Sequence, residues 1–434
     1  MAVVDIQNND ISVNQVFARN AFESMHNKLQ FFKLVDRQLD SQWANNTNGY
    51  AQGDSYQIQR PARFKSRVGN TIGDFQSATG TWETGDFVED PITFAVSKAD
   101  QINISTQFTS KDKTLALTDL KSRLGEGVGL QMATDLEKKV VGETVVKGGG
   151  YILATAGAAS GSKIGIHSLL LAQARLDELA TPTDKRSVLL PSAVMADLSR
   201  EHQGLFTPNA NEKIAISGYV NSFAGADMFS YNLLPKIVLP ASAAVITVTT
   251  VSSSATEALA FTVTSDANVT LPAGAILEFD ESFMVNPETR ESTGVKYSFS
   301  LTEQLVLVAS TESAIVKIDA AAKIWGPLDI GNRQNIDVLP VATKVVKIVG
   351  VDASVSKTYN QAVMFQENAY TATVIPLTTD LPGASAARAD HDGFSIRTCV
   401  ATSIGTDTVI HRFDGMAKGI LQRDTYAVRI LVEV

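Results

Sequence analysis

The chain has 434 residues, enough for about three folding units of ordinary size and a large core. Its 37 Lys and Arg stand against 46 Asp and Glu, a net charge of −9 that argues against a protein coating nucleic acid through basic surface. Charged residues are only 19% and apolar ones 44%, which excludes disorder throughout; Thr, Ser, Asn, Gln and Ala supply a surface that neighbours can bury without desolvating many ions.

One cysteine, Cys399, excludes an internal disulfide and a thiolate zinc cluster. The first residues, MAVVDIQNND, lack a basic stretch followed by an apolar core, so no secretory signal is expected. No run approaches the roughly 18 apolar residues of a membrane span, and even 239–264 is interrupted by Thr, Ser and Glu. The expectation is a soluble protein made in a cytoplasm.

Residues 1–42 carry a mixed helical pattern. Val13, Val16, Phe17 and Ala21 recur at three- and four-residue steps, as do Phe31, Leu34 and Val35. The segment fits either an independent helical domain or an arm that packs on something else. Over 49–88, Gly49, Gly53, Gly69, Gly73, Gly80 and Gly85 punctuate Thr/Ser/Gln-rich stretches, the composition of a long β-ribbon or a flexible loop. Ile92, Phe94 and Val96 then alternate with polar or small residues, and Ile102, Ile104, Thr106 and Phe108 keep the parity, predicting one strand over 92–108 that starts after Pro91.

The strongest helix signal follows. Leu117, Leu120, Leu124, Val128, Met132, Leu136 and Val140 form one continuous apolar stripe over 118–147, with Thr118 as a cap, Asp119 in the first turn and Gly148-Gly149-Gly150 as the stop. Gly125, Gly127 and Gly129 weaken this helix by roughly 1 kcal/mol each and mark a bend or a close helix contact. Helix, strand and helix are read at His167–Leu179, Ser187–Leu190 and Pro191–Leu198. From about 236 the texture changes to short Val/Ile/Thr-rich strands near 244–251, 258–264, 275–280, 294–301, 304–310 and 313–319, predicting a small antiparallel barrel or sandwich. After Pro340, strands are expected near 344–349, 361–376, 394–401, 407–413 and 424–432.

Five stretches, in order, carry a family resemblance. Gly53-Asp54-Ser55 through Arg60-Pro61-Ala62-Arg63-Phe64 comes first, and Phe108-Thr109-Ser110-Lys111 through Leu115-Ala116-Leu117 second. The third is Leu176-Asp177-Glu178-Leu179, Pro182 and Arg186, then Pro191 and Gly204-Leu205-Phe206. The fourth is Phe223-Ala224-Gly225-Ala226-Asp227 through Asn232-Leu233-Leu234-Pro235. The fifth joins Met364-Phe365, Ala369-Tyr370 and Pro376-Leu377 with Asp392-Gly393-Phe394-Ser395-Ile396-Arg397 and His411-Arg412-Phe413-Asp414. Together they resemble the tailed-bacteriophage major capsid proteins, in the coat-protein branch with a β-domain inserted in the Johnson-type capsid fold. Two departures stand out: the family's P-P-R-F is here Pro61-Ala62-Arg63-Phe64, and its Asp-Lys strand end is Ser97-Lys98.

The resemblance implies an α+β fold and a map of the chain. Residues 1–44 would be an N-terminal arm, 45–100 an extended loop with peripheral-domain strands, and 101–164 the peripheral domain with its spine helix. Residues 165–235 and 339–385 would form the axial domain, 236–338 an inserted antiparallel β-barrel, and 386–434 the C-terminal strands of the peripheral domain. It implies a coat protein that assembles as pentamers and hexamers of an icosahedral head around double-stranded DNA, enclosed without sequence-specific binding. The implied partners are further copies of itself, a scaffolding protein and a portal protein, with decoration proteins an open option and no membrane. Its place would be the virion, after assembly in the host cytoplasm.

No catalytic, cofactor or metal site is expected. His26, His167, His202, His391 and His411 show no ligand spacing, and Glu201-His202 reads as a solvated helix end. Cys399 with His391 or His411 reads as a packed strand cysteine, and Asp390-His391-Asp392-Gly393 as a turn. Gly125-Glu126-Gly127-Val128-Gly129 lies inside a helix, and Gly148–Gly150 lacks the Lys-Ser/Thr of a phosphate loop. One constellation remains. Arg60, Arg63, Lys65 and Arg67 form a basic cluster whose preferred reading is an inter-subunit contact, a positive finger laid on an acidic neighbour. The alternatives are a solvated ribbon edge and, third, a nucleic-acid contact with only Phe64 to stack on. A β-rich phage tail or adhesion module is the second functional reading, supported by the Thr/Ser/Val-rich 240–320 and opposed by the long helix and the lack of repeats.

Overall fold

A computed structural model of the protein describes residues 6–40, 55–64, 89–109, 120–154, 166–202, 222–254, 257–309, 313–327, 333–381, 384–403, 405–406 and 408–433. From the N-terminus come α1 (Ile6–Lys28), β1 (Ser55–Arg60), β2 (Asp90–Ala95), β3 (Gln101–Thr109) and α2 (Leu120–Thr144). Next are β4 (Tyr151–Ala154), α3 (Ile166–Glu178), β5 (Arg186–Leu190), α4 (Ser192–His202), β6 (Ser222–Phe223), β7 (Ala226–Ser230) and β8 (Ile237–Leu239). A run of strands follows: β9 (Ile246–Ser254), β10 (Glu257–Ser265), β11 (Val269–Leu271), β12 (Ile276–Val285), β13 (Ser292–Ser300), β14 (Leu305–Leu307), β15 (Ala314–Lys317), β16 (Ile324–Trp325) and β17 (Val345–Ile348). The last are β18 (Lys357–Gln366), β19 (Tyr370–Val374), β20 (Ser385–His391), β21 (Phe394–Ser403), β22 (Thr408–Leu421) and β23 (Ala427–Glu433). The mixed α+β content is as expected. The elements divide into two compact units, one of Met1–Tyr56, Phe94–Thr144 and Tyr370–Ile420, the other of Gln57–Thr93, Val145–Ala369 and Leu421–Val434.

In the first unit α2 lies on a sheet of order β19-β22-β21-β20, with β3 paired along Thr408–Met416 of β22. Val128, Met132, Leu136 and Val140 of the predicted stripe are buried. Where α2 meets β22 the strand carries glycine: a Cβ at Gly415 would sit 3.2 Å from Met132 Sδ, and one at Gly419 2.6 Å from Val140 Cγ1. Residues 6–40 pack within this unit. A Cβ at Gly129 of α2 would overlap the Ala21 carbonyl of α1, so of the two roles left open for the glycines, Gly129 serves close helix contact. After α1, Phe31 and Phe32 are buried, and the buried Glu137 carboxylate of α2 accepts the Gln30 and Phe31 backbone N–H groups, the latter at 2.8 Å. The β20–β21 hairpin closes at Asp392-Gly393, both with positive φ (52° and 73°), the tight turn that an Asp-Gly pair favours.

Two layers of strands make the second unit. One sheet has the order β4-β23-β18-β5-β7-β6, with β8 on the edge of β18. It is mixed: β23 pairs β4 and β5 pairs β7 in parallel, while β18 is antiparallel to its neighbours. Leu169 and Leu176 of α3 and Val194 and Leu198 of α4 pack on Val188, Met364 and Ile430. The other sheet has the order β13-β12-β17-β9-β10-β15, with β16 on β10. Phe261, Phe279 and Phe299 meet at its centre, ring centroids 5.1–5.4 Å apart, and their cluster runs on to Leu179, Tyr359 and Leu431.

Several expectations are corrected. The 92–108 stretch is two strands: Ser97 and Asp100 cap a 3-10 turn at Lys98–Asp100, β2 pairs β1, and β3 pairs β22. The 361–376 stretch is likewise two, β18 and β19, parted by a 3-10 turn at Glu367–Ala369. The strand block is an open sheet rather than a barrel. Its edge strands β13 and β15 are not joined among the described residues, and the three-residue β11 and β14 pair with each other and add Val269, Leu271, Leu305 and Leu307 to the same core. That sheet also runs past residue 338 to take in β17. The helix is confirmed over Leu120–Thr144, with Val145–Lys147 tightened into a 3-10 turn; Leu117, Thr118 and Asp119 lie outside the described residues.

Candidate functional site

Of the residues weighed for chemistry, His26 and His391 come together, ring centroids 6.2 Å apart, with His26 Nε2 3.5 Å from Asp392 Oδ2, and Cys399 is not joined to them. Burial pushes the Cys399 thiol up, and its Sγ faces Asp414 at 3.9 Å, a setting that disfavours a thiolate. The β21–β22 register pairs Cys399 with Arg412 and Val400 with His411, so His411 points to the opposite face of the sheet. His391 pairs with Phe394 and shares that opposite face, too far along the hairpin to serve Cys399 as a base. Asp414 instead anchors a structural cluster, accepting from Arg397 Nη2 at 2.7 Å and Arg412 Nε at 2.7 Å. Among the described residues no group of three or more His, Cys, Asp or Glu could hold a metal ion, and no helix is long and apolar enough to cross a membrane.

The basic cluster is split. Lys65 and Arg67 lie outside the described residues. Arg60, the last residue of β1, forms an ion pair with Asp90 at the start of β2 and donates from Nη1 to the Ala321 carbonyl at 3.2 Å. Pro61 cannot extend the ladder, and the chain then carries Arg63 beside it along the wall of a cavity of about 260 Å³ in the second unit. Lys323, Arg333 and Arg423 line the same cavity, as do Trp325 and Tyr426. Arg333 Cζ lies 3.5 Å and Lys323 Nζ 4.3 Å from the Trp325 ring centroid. Arg423 Nη1 donates to Tyr426 Oη at 2.8 Å.

The electrostatics of this wall are strained. Burial, reinforced by Arg63, Arg423 and Arg333, brings the Arg60 guanidinium down to about 10, and burial also lowers Arg63. Asp424, which accepts the Gly149 N–H at 2.7 Å, is raised by burial to about 6. Sequence reasoning found Arg60 and Arg63 because they stand together. It missed Lys323, Arg333, Arg423 and Asp424, which no local spacing connects to them.

No protein family and no curated protein matches the chain. Solved structures of phage capsids are similar to it. One, the capsid of the cyanophage P-SCSP1u, is 12% identical over 88% of this chain and 84% of that one, with a TM-score of 0.42. A chain from Mycobacterium phage Che8 is also 12% identical, over 93% and 91%, with a TM-score of 0.45. A virus-like particle from Pyrococcus furiosus is 8% identical over 95% and 97%, with a TM-score of 0.36.

Proposed function

We propose that the chain is the major capsid protein of a tailed phage, a structural protein whose activity is self-association into a closed shell. The observation that carries this reading is the order along the chain of the five stretches that resemble the coat proteins, each coinciding with a boundary or turn of the fold. Arg60-Pro61 ends β1, Phe108-Thr109 ends β3 ahead of α2, and Pro191 opens α4. Ala224-Gly225 turns β6 into β7, and Asp392-Gly393 turns β20 into β21.

In this reading α2 is the spine helix and residues 1–44 the arm. β1, β2 and the sequence between them are the extended loop, while α3, α4, β5 and β18 belong to the axial domain; β23, expected with 386–434 in the peripheral domain, pairs with β18 and is read with it. The β9–β17 sheet is the inserted domain. Arg60, Arg63, Lys65 and Arg67 would contact a neighbouring subunit, with Arg60 acting from its fixed place against Asp90. No covalent chemistry is needed, because many modest contacts repeated over a shell multiply through avidity. Pentamers and hexamers would enclose double-stranded DNA, assembled with a scaffolding and a portal protein.

The test is co-expression with the scaffolding partner followed by electron microscopy. Closed shells of uniform diameter are expected. Only monomers or small oligomers over a range of salt concentrations would overturn the reading, and trimeric fibres would favour a tail or adhesion module.

A further inference from the structure

We infer that the cavity walled by Arg60, Arg63, Arg333, Arg423 and Trp325 is a binding site for a free phosphate-class oxyanion. The inference does not rest on shell formation, since all the wall residues belong to one folded unit. Charge is the first argument. Among the described residues five cations line the cavity and only two carboxylates, Asp90 and Asp424. Asp90 is committed to Arg60, and Asp424 already accepts the Gly149 N–H. A cleft lined mostly by cations focuses its field on anions.

Size is the second argument. A volume of about 260 Å³ lies just below the roughly 300 Å³ at which pockets for drug-sized ligands begin, and far above the about 30 Å³ share of one water. It suits a small hydrated anion. The third is preorganisation. Arg60 is pinned by Asp90 and the Ala321 carbonyl, Arg333 by the Trp325 ring and Arg423 by Tyr426 Oη, so binding orders little that is not already ordered. These guanidinium groups arrive from three separate stretches of chain. A tetrahedral dianion can accept from several such directions at once, whereas a single carboxylate is satisfied by one bidentate arginine and neutralises one charge.

Isothermal titration of orthophosphate into the purified full-length chain, with ionic strength held by sodium chloride, tests the site. Saturable binding of one phosphate per chain is expected. Arg63→Gln and Arg333→Gln should each weaken it about tenfold, the loss of one charge-assisted hydrogen bond. Arg63→Lys should retain most of the affinity, and Lys317→Gln on exposed β15 should change nothing. Heat indistinguishable from that of chloride, or affinity unchanged in both glutamine variants, would overturn the proposal. If those variants do not fold, the wild-type chain is treated with a guanidinium-modifying dicarbonyl and mapped by mass spectrometry. Phosphate should then slow modification of Arg63 and Arg333 several-fold. Equal rates would refute the site, and protection by acetate as strong as that by phosphate would make it a carboxylate dock instead.

Discussion

Arg429 and Asp424 stand five residues apart, and the chain handles their charges in opposite ways. Arg429 is wholly buried, and its guanidinium donates to Gln361 Oε1, to the Val146, Gly148 and Gly274 carbonyls and to Ser300 Oγ at 2.9–3.2 Å. Three backbone carbonyls and two neutral side-chain oxygens accept from it. Asp424 has the Gly149 N–H, and burial raises its carboxyl from 3.8 to about 6. A carboxyl that binds its proton more tightly in the folded state stabilises the fold below the unfolded value and loses that contribution as pH rises through the folded one. The native chain should therefore lose stability relative to Asp424→Asn between about pH 4 and pH 6, by about 3 kcal/mol, with a plateau above. Urea unfolding of both proteins across that window measures it. A constant difference at every pH would show that Asp424 titrates normally.

Gly125, Gly127 and Gly129 lie within five residues of α2 and have three different surroundings. A Cβ at Gly125 would meet Asn20 Cβ at 2.9 Å, one at Gly129 would overlap the Ala21 carbonyl, and one at Gly127 would meet nothing within 4 Å. Gly129→Ala should thus push α1 off α2 and cost about 2 kcal/mol or more, whereas Gly127→Ala should gain about 1 kcal/mol from helix propensity alone. Chemical unfolding compares them; equal effects of the two substitutions would mean that α1 does not seat on Gly129. The stripe that made α2 legible is a local, periodic signal, and so is the Asp392-Gly393 turn. What the sequence hid was set elsewhere. The break after β2 is legible in Ser97-x-x-Asp100, a capping box, but the parity that Ile102, Ile104 and Phe108 keep with Ile92 and Phe94 hides it. Gly415 and Gly419 look like weak points of a strand until α2 lies on them. The cavity is the extreme case, because Arg60, Arg333 and Arg423 share no periodicity and only the folded chain brings them together.

At the scale of the whole molecule the chain passes between its two units five times, so neither unit is continuous in sequence and both depend on long-range closure. The strand block is the exception. Leu239 pairs with Lys357, and the Ser242 N–H donates to the Asp352 carbonyl at 2.9 Å, so the block enters and leaves at one point. Excising 243–351 and joining the ends through one glycine should leave β8 on β18 and a cooperatively melting sheet. A cut at 236–338 would instead strip β8 from β18 and strand β17, and should aggregate. The cut at 243–351 still has a cost, because Tyr359 and Leu431 lose the core they share with Phe261 and Phe299, and Arg429 loses Gly274 and Ser300. Its charge would then be buried with fewer acceptors. Arg429→Met, expected to cost the full-length chain about 3 kcal/mol, should therefore cost the excised chain much less or stabilise it. Thermal and urea melts of the four proteins close this cycle. An equal penalty in both backgrounds would show that the strand block contributes nothing to holding Arg429, and a non-cooperative melt of the excised parent would show that the remaining sheet depends on the block to fold.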